Sequence, residues 1–341
     1  MNTIDVAVPP GFDPKQANLV STWAAEKPLV CCRFDTKGRY VFCGLEDSVV
    51  QRFNLADGKR TSFPGGHESW VFSLAFSKDG EKAFSGGGDG RVAVWETASD
   101  SPKPVRKTDA HQGWIRGMHV SPDGYFLATG GNDKVVKIWD VSTGSLVREL
   151  KGHVSHVYSV EFHPDGRTLL SGDLLGTVNE WEISSGKLLG TFDVKALHSF
   201  NGGQLVNFGG VRGLAVTPDG KYVAAGGLHK ATNPLGAVHE PLVLLLDGVS
   251  RKTLKTQVAD GITGGVIWRL RFLADGTLMG ASGGSSGGFL FFWKTDADKD
   301  FHRFALPSLA RDMDLHPDGL RVATAHYDRN VRIARLAPKS A

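Results

Sequence analysis

The chain has 341 residues, of which 41% are hydrophobic and 22% charged, and its formal net charge is +3. This balance indicates a soluble globular protein with enough apolar residues for a core. It argues against general nucleic-acid binding, because no run of Lys or Arg supplies a concentrated basic field. No apolar run approaches the roughly 18 residues that would span a membrane.

The N-terminal region predicts a cytoplasmic protein with reduced thiols. The first 18 residues lack the basic and apolar segments of a secretory signal. The chain has only three cysteines, Cys31, Cys32 and Cys43. This small, odd number favours buried thiols that pack as small apolar side chains over a redox or metal role.

A five-residue motif recurs along the chain: an apolar residue, three variable residues and Gly. Its copies read FDTKG, FSKDG, VSPDG, FHPDG, VTPDG, FLADG and LHPDG, and they end at Gly38, Gly80, Gly124, Gly166, Gly220, Gly276 and Gly319. The spacings are 42, 44, 42, 54, 56 and 43 residues, so the basic period is near 43 and two intervals are stretched. An internal period of this length is typical of repeat architectures.

Each repeat predicts four short strands. The segment from Trp114 to Leu150 alternates apolar residues with period two, and its turns read Pro-Asp-Gly, Gly-Asn-Asp-Lys and Ser-Thr-Gly. A four-stranded antiparallel sheet cannot bury both of its faces alone. Seven such sheets around an axis bury them against one another, so the sequence predicts an all-β, seven-bladed β-propeller.

Several dipeptides in these repeats resemble the WD40-repeat family. Gly66-His67 and Gly152-His153 match the family's Gly-His, Trp139-Asp140 is its Trp-Asp, and Trp95-Glu96 and Trp181-Glu182 are close variants. The resemblance implies a buried hydrogen-bond network of His, Ser or Thr, Asp and Trp in a blade. His67, Ser85, Asp89 and Trp95 fall in this order, as do His111, Thr129, Asp133 and Trp139. The set His153, Ser171 and Trp181 keeps the frame, but Leu175 stands where the Asp is expected.

The last repeat supplies only three strands, and the segment from Asn18 to Ala24 belongs to no complete repeat. We therefore expect this N-terminal strand to become the outer strand of the last blade, which removes an open sheet edge. The prediction is one propeller over residues 18–337 between tails at 1–17 and 338–341. Its blades are predicted at about 28–64, 67–108, 111–151, 153–193, 209–257, 264–304 and 308–336, the last completed by strand 18–24.

By the same resemblance, the start of each innermost strand crowns the top mouth of the central channel. Counting four residues back from the apolar residue of each turn motif gives Val30, Phe72, Arg116, Tyr158, Arg212, Trp268 and Arg311. Counting six back gives Pro28, Trp70, Trp114, His156, Gly210, Val266 and Leu309. The expected binding residues are Trp70, Phe72, Trp114, Arg116, His156, Tyr158, Arg212, Trp268 and Arg311.

These residues predict a surface that binds a protein or peptide, acidic or phosphorylated. Trp, Tyr and Arg are enriched at binding hot spots, and Arg bonds carboxylate or phosphate in a bidentate manner. Against this, some of the aromatic side chains could serve only to pack neighbouring blades, and an Arg could be satisfied by a backbone carbonyl. The ring contains no carboxylate, so we expect a non-catalytic scaffold without metal or cofactor, monomeric or a subunit of a larger complex.

Two stretched intervals place extra chain at the top of blade 5. About twelve extra residues fall within 194–210 and about eleven within 228–241. Long loops on a rigid scaffold often carry function. The alternative hypothesis is therefore a small-molecule-binding or hydrolytic propeller whose site is built from these two loops, with His198 and His239 as the residues to test. The spacing of His198, His229 and His239 does not by itself favour a metal site.

Overall fold

A computed structural model describes residues 7–233 and 238–339 of the chain. Parts of both predicted tails, and the four residues 234–237 within the predicted loop 228–241, lie outside the described residues. The regular secondary structure of the described residues is all strand apart from two short 3₁₀ helices at Pro14–Gln16 and Lys195–Leu197. Neither helix is long or apolar enough to cross a membrane.

Apart from one two-stranded hairpin, the strands form seven four-stranded antiparallel sheets. Six of these have their strands in sequence order, and the seventh is completed by the first strand of the chain. An additional strand, β1 (Asn18–Ala24), precedes the first sheet. Blade 1 contains β2 (Leu29–Phe34), β3 (Tyr40–Leu45), β4 (Val50–Asn54) and β5 (Arg60–Phe63). Blade 2 contains β6 (Val71–Phe76), β7 (Lys82–Gly87), β8 (Arg91–Glu96) and β9 (Arg106–Asp109). Blade 3 contains β10 (Ile115–Val120), β11 (Phe126–Gly131), β12 (Val135–Asp140) and β13 (Leu146–Lys151).

The second half of the ring follows the same order, with a small hairpin inserted before blade 5. Blade 4 contains β14 (Val157–Phe162), β15 (Thr168–Asp173), β16 (Thr177–Glu182) and β17 (Leu188–Asp193). The inserted hairpin is β18 (His198–Asn201) and β19 (Val206–Gly209). Blade 5 contains β20 (Gly213–Val216), β21 (Tyr222–Asn233), β22 (Val238–Asp247) and β23 (Thr253–Val258). Blade 6 contains β24 (Val266–Phe272), β25 (Leu278–Gly284), β26 (Gly287–Trp293) and β27 (His302–Leu306). Blade 7 contains β28 (Ala310–Leu315), β29 (Arg321–His326) and β30 (Asn330–Arg335).

The N-terminal strand closes the ring, as the sequence predicts. Strand β1 pairs antiparallel with β30, from Asn18 opposite Arg335 to Ala24 opposite Asn330. The side-chain amide of Asn18 also donates to the backbone carbonyl of Ala337 at 2.8 Å. Blade 7 therefore has four strands drawn from both ends of the chain, and its innermost strand β28 packs beside β2 of blade 1.

The apolar residues explain why the blades stack. The core consists of seven hydrophobic clusters, one at each junction between neighbouring blades. Cys31 faces the junction of blades 1 and 2, whereas Cys32 and Cys43 face that of blades 1 and 7. All three cysteines are free and at most 1% exposed. They pack as small apolar side chains, as predicted, and burial raises the pKa of the Cys31 thiol to about 12.

The predicted hydrogen-bond networks of blades 2 and 3 are present. In blade 3 the Trp139 indole donates to the Thr129 hydroxyl at 2.9 Å. That hydroxyl lies 2.7 Å from His111 Nε2, and His111 Nδ1 lies 2.9 Å from an Asp133 carboxylate oxygen. Blade 2 repeats the arrangement with its own His, Ser, Asp and Trp. Such a buried network is stabilising only when every member is paired.

The sequence analysis is wrong about blade 4, where Leu175 was expected to leave the network without its Asp. Asp173, two residues earlier, accepts from His153 Nδ1 at 3.0 Å. The hydroxyl of Ser171 lies 2.7 Å from both His153 Nε2 and Trp181 Nε1. Asp173 is the last residue of β15, so its carboxylate reaches His153 from the strand end instead of from the following turn.

The described residues of the two insertions form paired strands and not the loops that the sequence predicts. Residues 198–209 form the two-stranded sheet β18–β19, and the second insertion lengthens β21 and β22 to twelve and ten residues. The side-chain amide of Asn201 donates to the backbone carbonyl of Thr232 at 3.3 Å, which joins the β18–β19 hairpin to β21. Extension of an existing ladder pairs the backbone groups that a loop would leave to water.

Candidate functional site at the top mouth of the channel

Residues of the innermost strands face the central channel in three layers. The cause is a shift of register near the start of six of these seven strands, for example between Ile115 and Gly117 in β10. Such a bulge interrupts the alternation of side chains, so two successive residues can face the same side. In β10, Arg116 and Gly117 line one cavity of the channel and His119 lines another below it.

The upper cavity lies where the innermost strands begin, which we call the top mouth, and it has a volume of about 300 Å³. Its lining brings together all seven residues counted four positions before the turn motifs: Val30, Phe72, Arg116, Tyr158, Arg212, Trp268 and Arg311. Trp70 and Trp114 also line it, and about 40% of each of these two side chains is exposed. Eight of the nine predicted binding residues therefore surround one cavity.

The ninth predicted residue, His156, is not in the cavity lining. It is partly buried, and both this burial and the charge of neighbouring Arg116 lower the pKa of its imidazole. Of the other residues counted six positions back, Pro28, Gly210, Val266 and Leu309 are also outside the lining. Of the residues counted six positions back, only Trp70 and Trp114 therefore line the cavity.

The aromatic and guanidinium groups form a continuous arc over blades 2 to 6. Trp70 contacts Phe72 with ring centroids 6.1 Å apart, and Phe72 stacks on Trp114 at 4.8 Å. Arg116 lies 4.5 Å from the ring centroids of both Trp114 and Tyr158. The other members follow at similar spacing: Arg212 is 4.1 Å from the Tyr158 ring and 5.3 Å from that of Trp268. We call these seven residues the aromatic-arginine arc.

The two arginines of this arc make only neutral hydrogen bonds. Arg116 Nε donates to the side-chain oxygen of Asn132 at 3.1 Å, and Arg212 Nε donates to the carbonyl of Gly209 at 2.9 Å. Among the described residues, no carboxylate lies within ion-pair distance of either guanidinium. Burial lowers the pKa of both, that of Arg116 to about 10. Arginine stays protonated at neutral pH in proteins. The arc therefore carries two positive charges that no carboxylate of the described residues pairs.

The opposite side of the mouth is electrostatically balanced. Arg311 Nη1 donates to a Glu46 carboxylate oxygen at 2.5 Å, and its guanidinium lies 4.6 Å from the Tyr327 ring centroid. The sequence analysis treated Arg311 as equivalent to the other two arginines of the ring. Glu46 lies in the turn after β3, outside both rows that were counted, so the count did not include this partner.

The floor of the cavity is an ion network that the sequence analysis missed. Asp312 is 3% exposed and accepts from Arg33 at 2.7 Å and from Arg269 at 3.0 Å. Arg269 lines both the upper cavity and a second one of about 390 Å³ at the other end of the channel. Arg33, Arg269 and Asp312, which we call the charged partition, thus border both cavities.

The lower cavity contains further ionisable groups that the two counted rows did not include. Arg271 bridges Glu161 and Asp314 at 3.5 Å each, and His119 lies 3.7 Å from Glu161. All four occupy the position directly before the apolar residue of a turn motif. Counting one position back from that residue would therefore have found them.

The described lining of the top mouth combines aromatic rings and guanidinium groups with a single carboxylate. Its one lining carboxylate, Asp312, is engaged by two arginines. His198 bonds Asn207 at 2.8 Å and His229 lies 3.2 Å from Glu240, both on the blade 5 hairpins. Within residues 7–233 and 238–339, no three His, Cys, Asp or Glu side chains are grouped to hold a metal ion.

The closed ring of seven four-stranded blades defines the protein as a β-propeller. Comparison with protein families matches the model of the WD domain, G-beta repeat (WD40) to residues 58–96, 102–140 and 144–182. The chain therefore contains three WD40 repeats within a ring of seven propeller blades. Propellers of this family are generally non-catalytic scaffolds that bind other proteins.

Proposed function

We propose that this protein is a non-catalytic scaffold whose top mouth binds an acidic or phosphorylated segment of a partner protein. The observation that carries the proposal is the pair Arg116 and Arg212. Both are desolvated enough to lower their pKa, yet neither is within ion-pair distance of a described carboxylate. Desolvating a charge costs free energy, which an anion of opposite charge in the cavity would offset.

Recognition of this segment would combine charge with stacking. The Nε atom of each arginine already donates to the protein, which fixes the plane of the guanidinium. The terminal nitrogens of Arg116 and Arg212 supply further donors, which suit a phosphate or carboxylate. Trp70 and Trp114 add exposed rings for the apolar side chains of the same segment.

The test is a synthetic array of nine-residue peptides with degenerate flanks and phosphoserine, Glu or Ser fixed at the centre. Labelled wild-type protein is expected to bind phosphoserine and Glu peptides in preference to Ser peptides. In the Arg116→Gln/Arg212→Gln variant we expect this preference to fall at least tenfold, because charge-assisted hydrogen bonds contribute about 1.5–3 kcal/mol each.

The matched control makes the same Arg-to-Gln changes at two arginines of the outer strands. Arg60 in β5 and Arg106 in β9 are remote from the cavity lining, so Arg60→Gln/Arg106→Gln should bind as wild type does. Equal binding of the three peptide classes by wild type would refute the proposal. The proposal would also be refuted if the Arg116→Gln/Arg212→Gln variant had the melting temperature of wild type and still preferred phosphoserine and Glu peptides to Ser peptides.

A further inference from the structure

Each guanidinium of the aromatic-arginine arc lies between two aromatic rings. Arg116 is 4.5 Å from the ring centroids of both Trp114 and Tyr158. Arg212 is 4.1 Å from the centroid of the Tyr158 ring and 5.3 Å from that of the Trp268 ring. Rings at these distances cover the faces of the guanidinium groups, so a ligand approaches them mainly along their edges, where the N–H donors lie.

Tyr158 separates the two arginines of the arc. It belongs to β14 of blade 4, whereas Arg116 belongs to β10 of blade 3 and Arg212 directly precedes β20 of blade 5. The two guanidinium groups therefore approach the Tyr158 ring from opposite sides. Their Cζ atoms are at most about 8.6 Å apart, which is the sum of their two distances to the ring centroid. The two charges act on each other, because burial is the main cause that lowers the pKa of Arg116 and the charge of Arg212 lowers it further.

The Tyr158 ring limits how an anion can pair with both charges. Since this ring fills the space between the two guanidinium groups, one carboxylate cannot lie midway between them. Charge-assisted N–H···O bonds are about 2.7–2.9 Å long, so each guanidinium needs an anionic oxygen at its own edge. Neutralising both charges of the arc therefore takes two anionic groups at about the separation of the two arginines.

We propose that the partner segment crosses the arc in an extended conformation and carries anionic side chains at positions i and i+2, one for Arg116 and one for Arg212. In an extended segment these side chains point to the same side with Cα atoms about 7 Å apart, which suits guanidinium groups at most about 8.6 Å apart. Side chains at i and i+1 point to opposite sides, and those at i and i+4 are about 13 Å apart. A helix is about 10–12 Å wide, so one turn of it exceeds the cavity of about 300 Å³. This inference rests on the proposed function of the arginine pair and adds the spacing of the motif that the pair recognises.

A series of fluorescein-labelled nine-residue peptides tests this spacing by fluorescence anisotropy. The background residue is Thr, which favours an extended backbone, and two Glu residues stand one, two, three or four positions apart. A single-Glu peptide and a Glu-free peptide complete the set, and a second set has phosphoserine in place of Glu. For wild type we expect the pair two positions apart to bind at least about fivefold more tightly than any other pair of equal charge, because only this pair forms charge-assisted hydrogen bonds with both arginines.

Two single variants assign the preference to the arc. Arg116→Gln and Arg212→Gln should each lose the preference for the pair two positions apart, because either change leaves only one cation for two anions. The control Arg60→Gln makes the same change in the outer strand β5, away from the cavity lining, and should keep the preference. Thermal unfolding shows whether each variant is folded, and either variant tests the inference without the other.

The outcomes separate this inference from the proposed function. Equal affinity for all four pairs, or a maximum at another spacing, would overturn the i and i+2 motif and leave the arginine pair as an anion site. A single-phosphoserine peptide that binds as tightly as the phosphoserine pair two positions apart would also overturn the motif, because one phosphate would then serve both arginines. If no anionic peptide binds wild type, both proposals are overturned.

Discussion

Loss of the Asp312 carboxylate is predicted to be among the most destabilising single changes in the channel. Asp312 is 3% exposed and pairs with Arg33 and Arg269, whose side chains are 7% and 15% exposed. It also accepts the backbone N–H of Cys32 at 3.1 Å. Removing one partner of a buried ion pair costs about 3–5 kcal/mol, because the other charge is left uncompensated. Since a typical protein is stable by about 5–15 kcal/mol, the change should be readily measured.

The assay is urea unfolding of wild type, Asp312→Ala and Asp312→Asn, followed by tryptophan fluorescence. Asp312→Ala should lower the free energy of unfolding by about 4 kcal/mol. Asp312→Asn keeps an acceptor for the Cys32 N–H, so it should lose about 1 kcal/mol less than the alanine variant.

The control is Asp260→Asn, which breaks an exposed pair with Lys299 in which the side chains are 60% and 64% exposed. An exposed pair contributes about 0–1 kcal/mol, so the control should stay close to wild type. An Asp312→Ala variant that loses no more stability than Asp260→Asn would refute the claim that the partition is a buried, mutually dependent ion network.

Three further predictions concern the fold. Asp173→Ala should destabilise the protein by about 1–3 kcal/mol in urea unfolding, because it leaves the buried His153 Nδ1–H without an acceptor, whereas Leu175→Ala should cost less. Burial lowers the pKa of His326 to about 4, so its neutral form contributes stability that is fully present above the unfolded pKa of about 6.5 and lost as the pH falls through about 4. Thermal unfolding of wild type and His326→Gln at pH 7.5, 5.5 and 4 should therefore show the advantage of wild type shrinking with acid, and a constant difference would contradict this. Deleting residues 1–24 removes β1 from blade 7 and should lower the melting temperature by more than 10 °C, and an unchanged melting temperature would contradict ring closure by this strand.

The repeat pattern carried enough information to predict the ring and its closure. Seven turn motifs at a regular period specify seven sheets, and the lone strand at 18–24 could only complete the last one. The His, Ser or Thr, Asp and Trp spacing of blades 2 and 3 also predicted the networks correctly, because the Ser or Thr and the Trp occupy fixed positions in neighbouring strands of the ladder.

The features that the sequence analysis did not predict share a physical cause, which is a local departure from the period-two pattern of the strands. The shift between Ile267 and Arg269 allows Trp268 and Arg269 both to face the channel, so counting by twos found the first and omitted the second. The register of strand pairing also places Asp173 at the end of its strand, opposite Val157. The spacing of the motif pointed to position 175 and gave Asp173 no role. The insertions contain no strong alternation, and their pairing depends on tertiary contact between β21 and the inserted hairpin.

The most direct test of the binding proposal is the set of indole N–H resonances in a ¹H–¹⁵N spectrum during titration with a phosphoserine peptide selected from the array. The chain has eight Trp residues, of which Trp70, Trp114 and Trp268 line the cavity. The proposal predicts saturable shifts of these three resonances, with the buried Trp95, Trp181 and Trp293 unchanged. Saturable binding with shifts confined to resonances outside the cavity, or with none at all, would contradict it.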